Sequence, residues 1–213
     1  MHGCVLVAVA LGGLVVAAAP AVASPADHCR AELTARGVSH RPATRPGIAI
    51  GVEITGPVGG VTYVAGNRTP LVIDCSLAVS LAEAGSYLRA LGVEQVVWSS
   101  AYSRRTVRGT GRPSKHSFGL AIDVPRLVGK ELGALAVIDD YEQGLGDRVD
   151  CLGQPATQGG AILKVMQCQL ARSGLFHLVL SPDYDDAHHD HFHLEALPWT
   201  ERPTVRAERP AIH

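Results

Sequence analysis

The sequence predicts an α+β domain. Helix-like and strand-like segments follow one another in mixed order, which implies that class rather than a regular βαβ alternation. The chain of 213 residues is long enough for one domain with one sizeable core. Its residues are 46% hydrophobic and 18% charged, a composition that folds rather than one that stays disordered.

In chain order, Asp27 to Val38 sets Cys29, Leu33 and Val38 among polar residues and ends on Arg36-Gly37, which suits a short helix over one edge. Gly47 to Ala65 is rich in Ile and Val, alternates weakly and is broken by Gly56-Pro57 and Gly59-Gly60, so a hairpin with a loop is expected. Ser76 to Leu91 opens after Asp74, repeats Leu77, Leu81, Ala84, Leu88 and Leu91 at helical spacing, and stops at Gly92. Val96-Val97-Trp98 reads as a buried strand. Ser99 to Ser117 is polar, basic and too long to be a mere connection, so function can sit there. Leu120 to Val124 and Ala134 to Ile138 are further expected strands, Ala161 to Ser173 a helix ending at Gly174, and Leu175 to Leu180 with His191 to Glu195 a closing strand pair. From Pro198 the chain is Arg- and Pro-rich without periodicity, so residues 198–213 are expected as a loosely held tail.

Residues 1–23 read as a secretory signal peptide: Val5 to Ala19 is uncharged, and Ala21-Val22-Ala23 precedes Ser24 in an A-x-A cleavage pattern. An uncleaved anchor is the competing reading, because the apolar run is nearly long enough to span. No other run approaches that length, so a secreted or periplasmic chain of residues 24–213 with no stable membrane span is expected, with its domain over 24–197. Processing leaves Cys29, Cys75, Cys151 and Cys168, an even number suited to two disulfides. Of the three connectivities, Cys29 with Cys75 and Cys151 with Cys168 join sequence neighbours; a cysteine zinc site, lacking any C-x-x-C pair, is the weaker alternative. Nineteen Lys and Arg against 20 Asp and Glu leave no electrostatic footprint for nucleic acid. The chain is read as a monomer.

Two strings carry the chemistry: Ser114-Lys115-His116-Ser117-Phe118-Gly119-Leu120-Ala121-Ile122-Asp123, and His188-His189-Asp190-His191-Phe192-His193 further on. A catalytic zinc ion needs three N or O ligands and one open position for water. His116, Asp123 and His193 supply such a set for one ion per chain. His191 and His193 lie two apart on an expected strand, so both side chains leave the same face, and His191 can handle protons while His193 ligates. An H-x-H alone is a weak signal among ten histidines. The conjunction of both strings in this order gives it weight.

These strings resemble the superfamily of zinc peptidases that includes D-alanyl-D-alanine carboxypeptidases, murein endopeptidases, lysostaphin-type enzymes and the hedgehog domain. More closely, Asp74-Cys75-Ser76-Leu77-Ala78, a Ser-x-x-x-Arg ahead of the zinc string, and Cys168 before His-Asp-His-Phe-His are similar to bacterial extensin-like proteins, over roughly Cys29 to Glu195. The resemblance implies a small, mostly antiparallel sheet with flanking helices, and zinc on His116, Asp123 and His193. It implies His191 as the catalytic histidine, with Asp190 the other candidate for general base; imidazole exchanges protons at neutral pH, which favours His191. His188 matches an extra histidine that steadies the oxyanion. Arg105, or Arg104 in its place, matches an arginine facing the substrate, with Tyr102 and Ser114 as substrate-side neighbours. Arg104 stands where many extensin-like proteins carry Cys, so their disulfide pattern does not transfer.

The implied reaction is attack of metal-activated water on an amide of peptidoglycan peptides, of D,D-carboxypeptidase or endopeptidase type. A non-catalytic zinc-stabilised wall-binding or interaction module is the competing reading, and a disulfide-based scaffold a third. Asp183, Asp185 and Asp186 lack the spacing of a calcium loop and are read as solvated or as supports behind the site.

Overall fold

Ser24 opens the first helix, α1 (Pro25–Ala35), with a capping box: its hydroxyl accepts the Asp27 N–H while the Asp27 carboxylate accepts the Ser24 N–H. The computed structural model describes residues 23–145, 151 and 153–202, so the expected signal segment lies almost wholly outside the described residues. Helix α1 buries Cys29 and Leu33, and the Cys29–Cys75 disulfide ties it to the central helix, α2 (Cys75–Ala90). Asp74 caps α2 by accepting the Ser76 N–H (2.9 Å), and its other oxygen accepts the N–H of Ile50 just ahead of Gly51 (3.0 Å). The helical spacing read from the sequence puts Leu77, Leu81, Ala84 and Leu88 in the core.

Three small sheets surround this helix. β1 (His40–Pro42), β2 (Gly51–Ile54) and β4 (Val72–Asp74) form an antiparallel sheet with β2 in the middle. β3 (Thr62–Ala65) pairs in parallel with β5 (Gln95–Trp98), followed by antiparallel β7 (Arg126–Gly129) and β8 (Gly133–Ala136). The third sheet sets β10 (Phe192–Glu195) between β6 (Ala121–Val124) and β9 (Leu178–Leu180), all antiparallel. Mixed helices and mostly antiparallel sheets make the class α+β.

Two expectations are corrected. Gly47 to Ala65 is not a hairpin, because β2 and β3 belong to different sheets. Val58 and Val61 bridge each other locally, and Gly59 sits so close to α2 that a Cβ there would lie 2.9 Å from the Gly85 Cα; the chain therefore turns onto the helix and leaves to pair with β5. Ala134 to Ile138 is strand only to Ala136. The Asp140 carboxylate accepts the Ala136 N–H at 2.7 Å and starts a single helical turn, α3 (Val137–Asp140).

The last helix, α4 (Gln158–Arg172), is capped by Thr157 and packs Leu163, Met166 and Leu170 into the same core as Phe192 and Ile122. Cys168 on α4 bonds Cys151, so both disulfides join sequence neighbours and no thiol among these four remains for a cysteine zinc site. The start of the expected loose tail is held. Trp199 meets His28 of α1 edge to face, and Arg202 donates to the Ser76 carbonyl at 3.0 Å and reaches Glu83. Residues 203–213 lie outside the described residues. Among the described residues, no helix is long and apolar enough to cross a membrane. The two disulfides fit an oxidising compartment.

Candidate metal centre

The long basic loop ends in a single 3₁₀ turn, Lys115–Phe118. Ser114 caps it, its hydroxyl accepting the His116 N–H at 3.3 Å, and Gly119 closes it in the left-handed region at φ 63°. A Cβ at Gly119 would meet the Asp74 nitrogen at 2.8 Å, so the turn is pressed onto the start of α2. The turn sends His116 inward, fully buried, and leaves Phe118 exposed. The chain then enters β6, which carries Asp123, and the antiparallel register sets His193 of β10 directly opposite it.

Three donor atoms converge there. His116 Nε2 lies 3.1 Å from Asp123 Oδ1, His193 Nδ1 lies 2.7 Å from the same oxygen, and the two ring nitrogens are 3.2 Å apart. All three residues are buried, and they form a group able to hold a metal ion. On its far side, His193 Nε2 faces Glu195 Oε1 at 2.9 Å. A neutral imidazole has one N–H, yet both nitrogens of His193 face carboxylates, so this ring needs either a second proton or a cation at Nδ1. The donor set therefore fits a divalent cation. Two imidazole nitrogens and a carboxylate oxygen suit zinc and its neighbours among the transition metals.

The electrostatics follow from the same contacts. Burial opposes ionisation of Asp123, but hydrogen bonds to His116 and His193 outweigh it and hold the carboxyl well below the usual carboxylate range. Burial likewise disfavours an imidazolium at His193, and Asp123 and Glu195 on its two sides outweigh it, raising the group to about 9. At His116 burial prevails and its pKa is lowered.

The extensin-like protein C-terminus family matches residues 27–204. The chain belongs to that family. No curated protein and no solved structure matches it.

In this extensin-like domain, every histidine of interest in the second string lies at or beside the cluster. His191 Nε2 is 3.5 Å from Asp123 Oδ1, while its Nδ1 contacts Asp190 Oδ1 at 2.6 Å. Asp190 thus orients His191, which points its other nitrogen at the centre. His188 bonds Asp185 at 2.6 Å, and its ring lies 5.3 Å from that of His191 and 5.6 Å from that of His193. From the loop, Arg105 reaches Asp123 Oδ2 at 3.2 Å. Its backbone is fixed by Ser117, whose hydroxyl accepts the Arg105 N–H and donates to the Arg105 carbonyl.

The other loop residues singled out in the sequence are placed less centrally. Arg104 is exposed and lines, with Arg105, Thr106, Ser117 and Phe118, an open groove of about 820 Å³. Tyr102 donates its hydroxyl to the Pro46 carbonyl at 2.9 Å, which anchors the loop. Ser114 is buried as the cap of the His116 turn, so what its hydroxyl holds in this structure is a backbone amide.

Two supports escape sequence reading. Ser100 Oγ lies 3.3 Å from His116 Nδ1, and Glu195 faces His193 Nε2. For Glu195 the signal was the strand period: His193 and Glu195 are two apart and share a face.

Proposed function

We propose that this extensin-like domain is a secreted zinc peptidase acting on peptidoglycan peptides, of D,D-carboxypeptidase or endopeptidase type. The observation that carries this reading is His191, oriented by Asp190 and aimed at the oxygen on which His116 and His193 converge. A structural metal needs no such proton carrier beside it. The resemblance of the two histidine strings to zinc peptidases supports the same reading and supplies the substrate class.

A zinc ion held by His116, Asp123 and His193 would acidify water and polarise the amide carbonyl. Hydrolysis joins the water oxygen to the carbonyl carbon, breaks the C–N bond and leaves a proton on the departing amine. His191 Nε2 takes that proton from water and returns it to the nitrogen, while the Asp190 carboxylate stabilises the transient imidazolium through Nδ1. Arg105 and His188 stand on the rim, where a cation or an N–H steadies negative charge on the carbonyl oxygen or binds a peptide carboxylate. The Arg104 side of the groove accepts the rest of the peptide chain.

The test is to purify the chain from Ser24, measure bound metal, and follow peptides released from peptidoglycan by mass with and without chelator. One zinc per chain with chelator-sensitive cleavage is the expected result, and the masses identify the bond. One zinc with no release, and wall binding indifferent to His191→Ala, would turn the reading to a wall-binding module. A chain that takes no metal would overturn both.

A further inference from the structure

We propose that Glu195 is a positioning residue of the metal centre: its carboxylate holds the Nε2–H of His193 so that the Nδ1 lone pair faces the ion. This rests on the metal reading above and adds a residue to it.

Glu195 Oε1 stands 2.9 Å from His193 Nε2, and the Glu195 side chain is only 15% exposed, so little water competes for that bond. The ring lies between two carboxylates. Asp123 Oδ1, at 2.7 Å from Nδ1, is itself one of the converging donor atoms, so a proton at Nδ1 would occupy the place of the ion. The single N–H of a neutral, ligating imidazole therefore belongs on the Glu195 side.

The backbone keeps Glu195 in place. It is paired with Ala121 on one flank and Leu178 on the other, and its carbonyl accepts the His177 N–H at 2.7 Å. Strand period then puts its side chain on the face of His193.

The two histidines are supported unequally. His116 presents Nε2, and behind it stands the neutral Ser100 hydroxyl at 3.3 Å; His193 presents Nδ1, with an anion behind it at a shorter distance. A bond to a charged acceptor is the stronger of the two. There is also a charge argument. Asp123 and Glu195 bring two negative charges and the neutral imidazoles none; with Arg105 on the other Asp123 oxygen, a dication leaves these groups one positive, and loss of the Glu195 charge would leave them two positive. Glu195 thus contributes both the ring orientation and part of the field that holds the ion.

The experiment compares zinc affinity of the parent chain, Glu195→Gln and Glu195→Ala by competition with a chromophoric chelator. It adds imidazole nitrogen NMR of the zinc-loaded proteins and melting of the chelated ones. Glu195→Ala is expected to weaken zinc binding about 10–100-fold and to lose the slowly exchanging His193 Nε2–H signal. Glu195→Gln keeps an acceptor oxygen without the charge, so it should retain that signal and fall between the two. Affinity of Glu195→Ala within about threefold of the parent overturns the proposal, being well short of what loss of such a support produces. So does an affinity loss with the His193 signal unchanged. If Glu195→Ala does not fold, Glu195→Gln decides, and parental affinity in it counts against the proposal. A parent chain that takes no zinc fails the metal reading itself, a result visible before any variant is compared.

Discussion

Asp123 and His193 face each other across the β6–β10 pair, with His193 Nδ1 2.7 Å from Asp123 Oδ1. Because His116 converges on the same oxygen, Asp123 is the shared point of the cluster. Asp123→Asn keeps the shape and removes the charge. It is expected to weaken metal binding by at least about 100-fold, beyond the range for outlying supports, and to abolish any metal-dependent turnover. Metal content after dialysis against a weak chelator measures this; full occupancy would refute the ligand assignment.

His191 contacts the cluster without being one of its converging donors. His191→Ala should keep the metal and lower turnover by about 10²–10⁴-fold, the range for loss of a positioned acid–base group. Asp190→Asn should have a smaller effect, on the order of tenfold, because His191 stays present but loses its anionic support. Equal turnover in parent and His191→Ala would move proton transfer to another group.

His193 supplies a pH dependence with a definite sign. Its pKa in the folded chain is raised to about 9 by the Asp123 and Glu195 carboxylates acting against burial. In the unfolded chain it is about 6.5. The folded state therefore holds the extra proton more tightly. That stabilisation is complete below about pH 6.5 and is lost as pH rises through about 9. Chelated protein should melt at lower temperature as pH rises across this window, and His193→Gln should flatten the dependence. Metal uptake runs the opposite way, since binding displaces that proton.

The disulfides close loops of different size, Cys29–Cys75 with a separation of 46 residues and Cys151–Cys168 with 17. On chain entropy, removing the first should cost about 4 kcal/mol and the second about 3 kcal/mol. Denaturant melts of Cys29→Ser with Cys75→Ser, and of Cys151→Ser with Cys168→Ser, measure the two losses. The first pair also ties α1 to α2, so its removal should expose Leu33 and release the Trp199 contact to His28.

Much of this was legible in the sequence where the signal is local. The α2 repeat of Leu77, Leu81, Ala84 and Leu88 between Asp74 and Gly92 needs no partner to be read, and β9 and β10, expected as a closing strand pair, do pair with each other. The converging trio was legible from its two strings. What was not legible depended on distant pairing. Nothing near Thr62 to Ala65 says that this strand runs parallel to Gln95 to Trp98 instead of returning along Gly51 to Ile54. Arg126 to Gly129 was missed as a strand because Arg-Leu-Val-Gly is too short to carry a period of its own, and pairing with β5 and β8 defines it. Asp140 made a turn of what composition presented as continuous strand, through one bond to Ala136. Glu195 was within reach of the strand period, two positions after His193, but it looks like any charged residue at the end of a strand until its carboxylate is set against His193 Nε2.

The β6–β10 pairing also orders events in time. Asp123 and His193 are 70 positions apart, and His116 and His193 are 77 apart. Long-range closure of this kind carries an entropy cost that local helices do not meet, so it belongs late in folding. A chain that has made α1, α2 and the first two sheets still owns only two of the three converging groups. Capture of an ion by the trio would thus report that the last strand has docked. Retention of a tightly held ion would distinguish finished molecules from those halted one strand short.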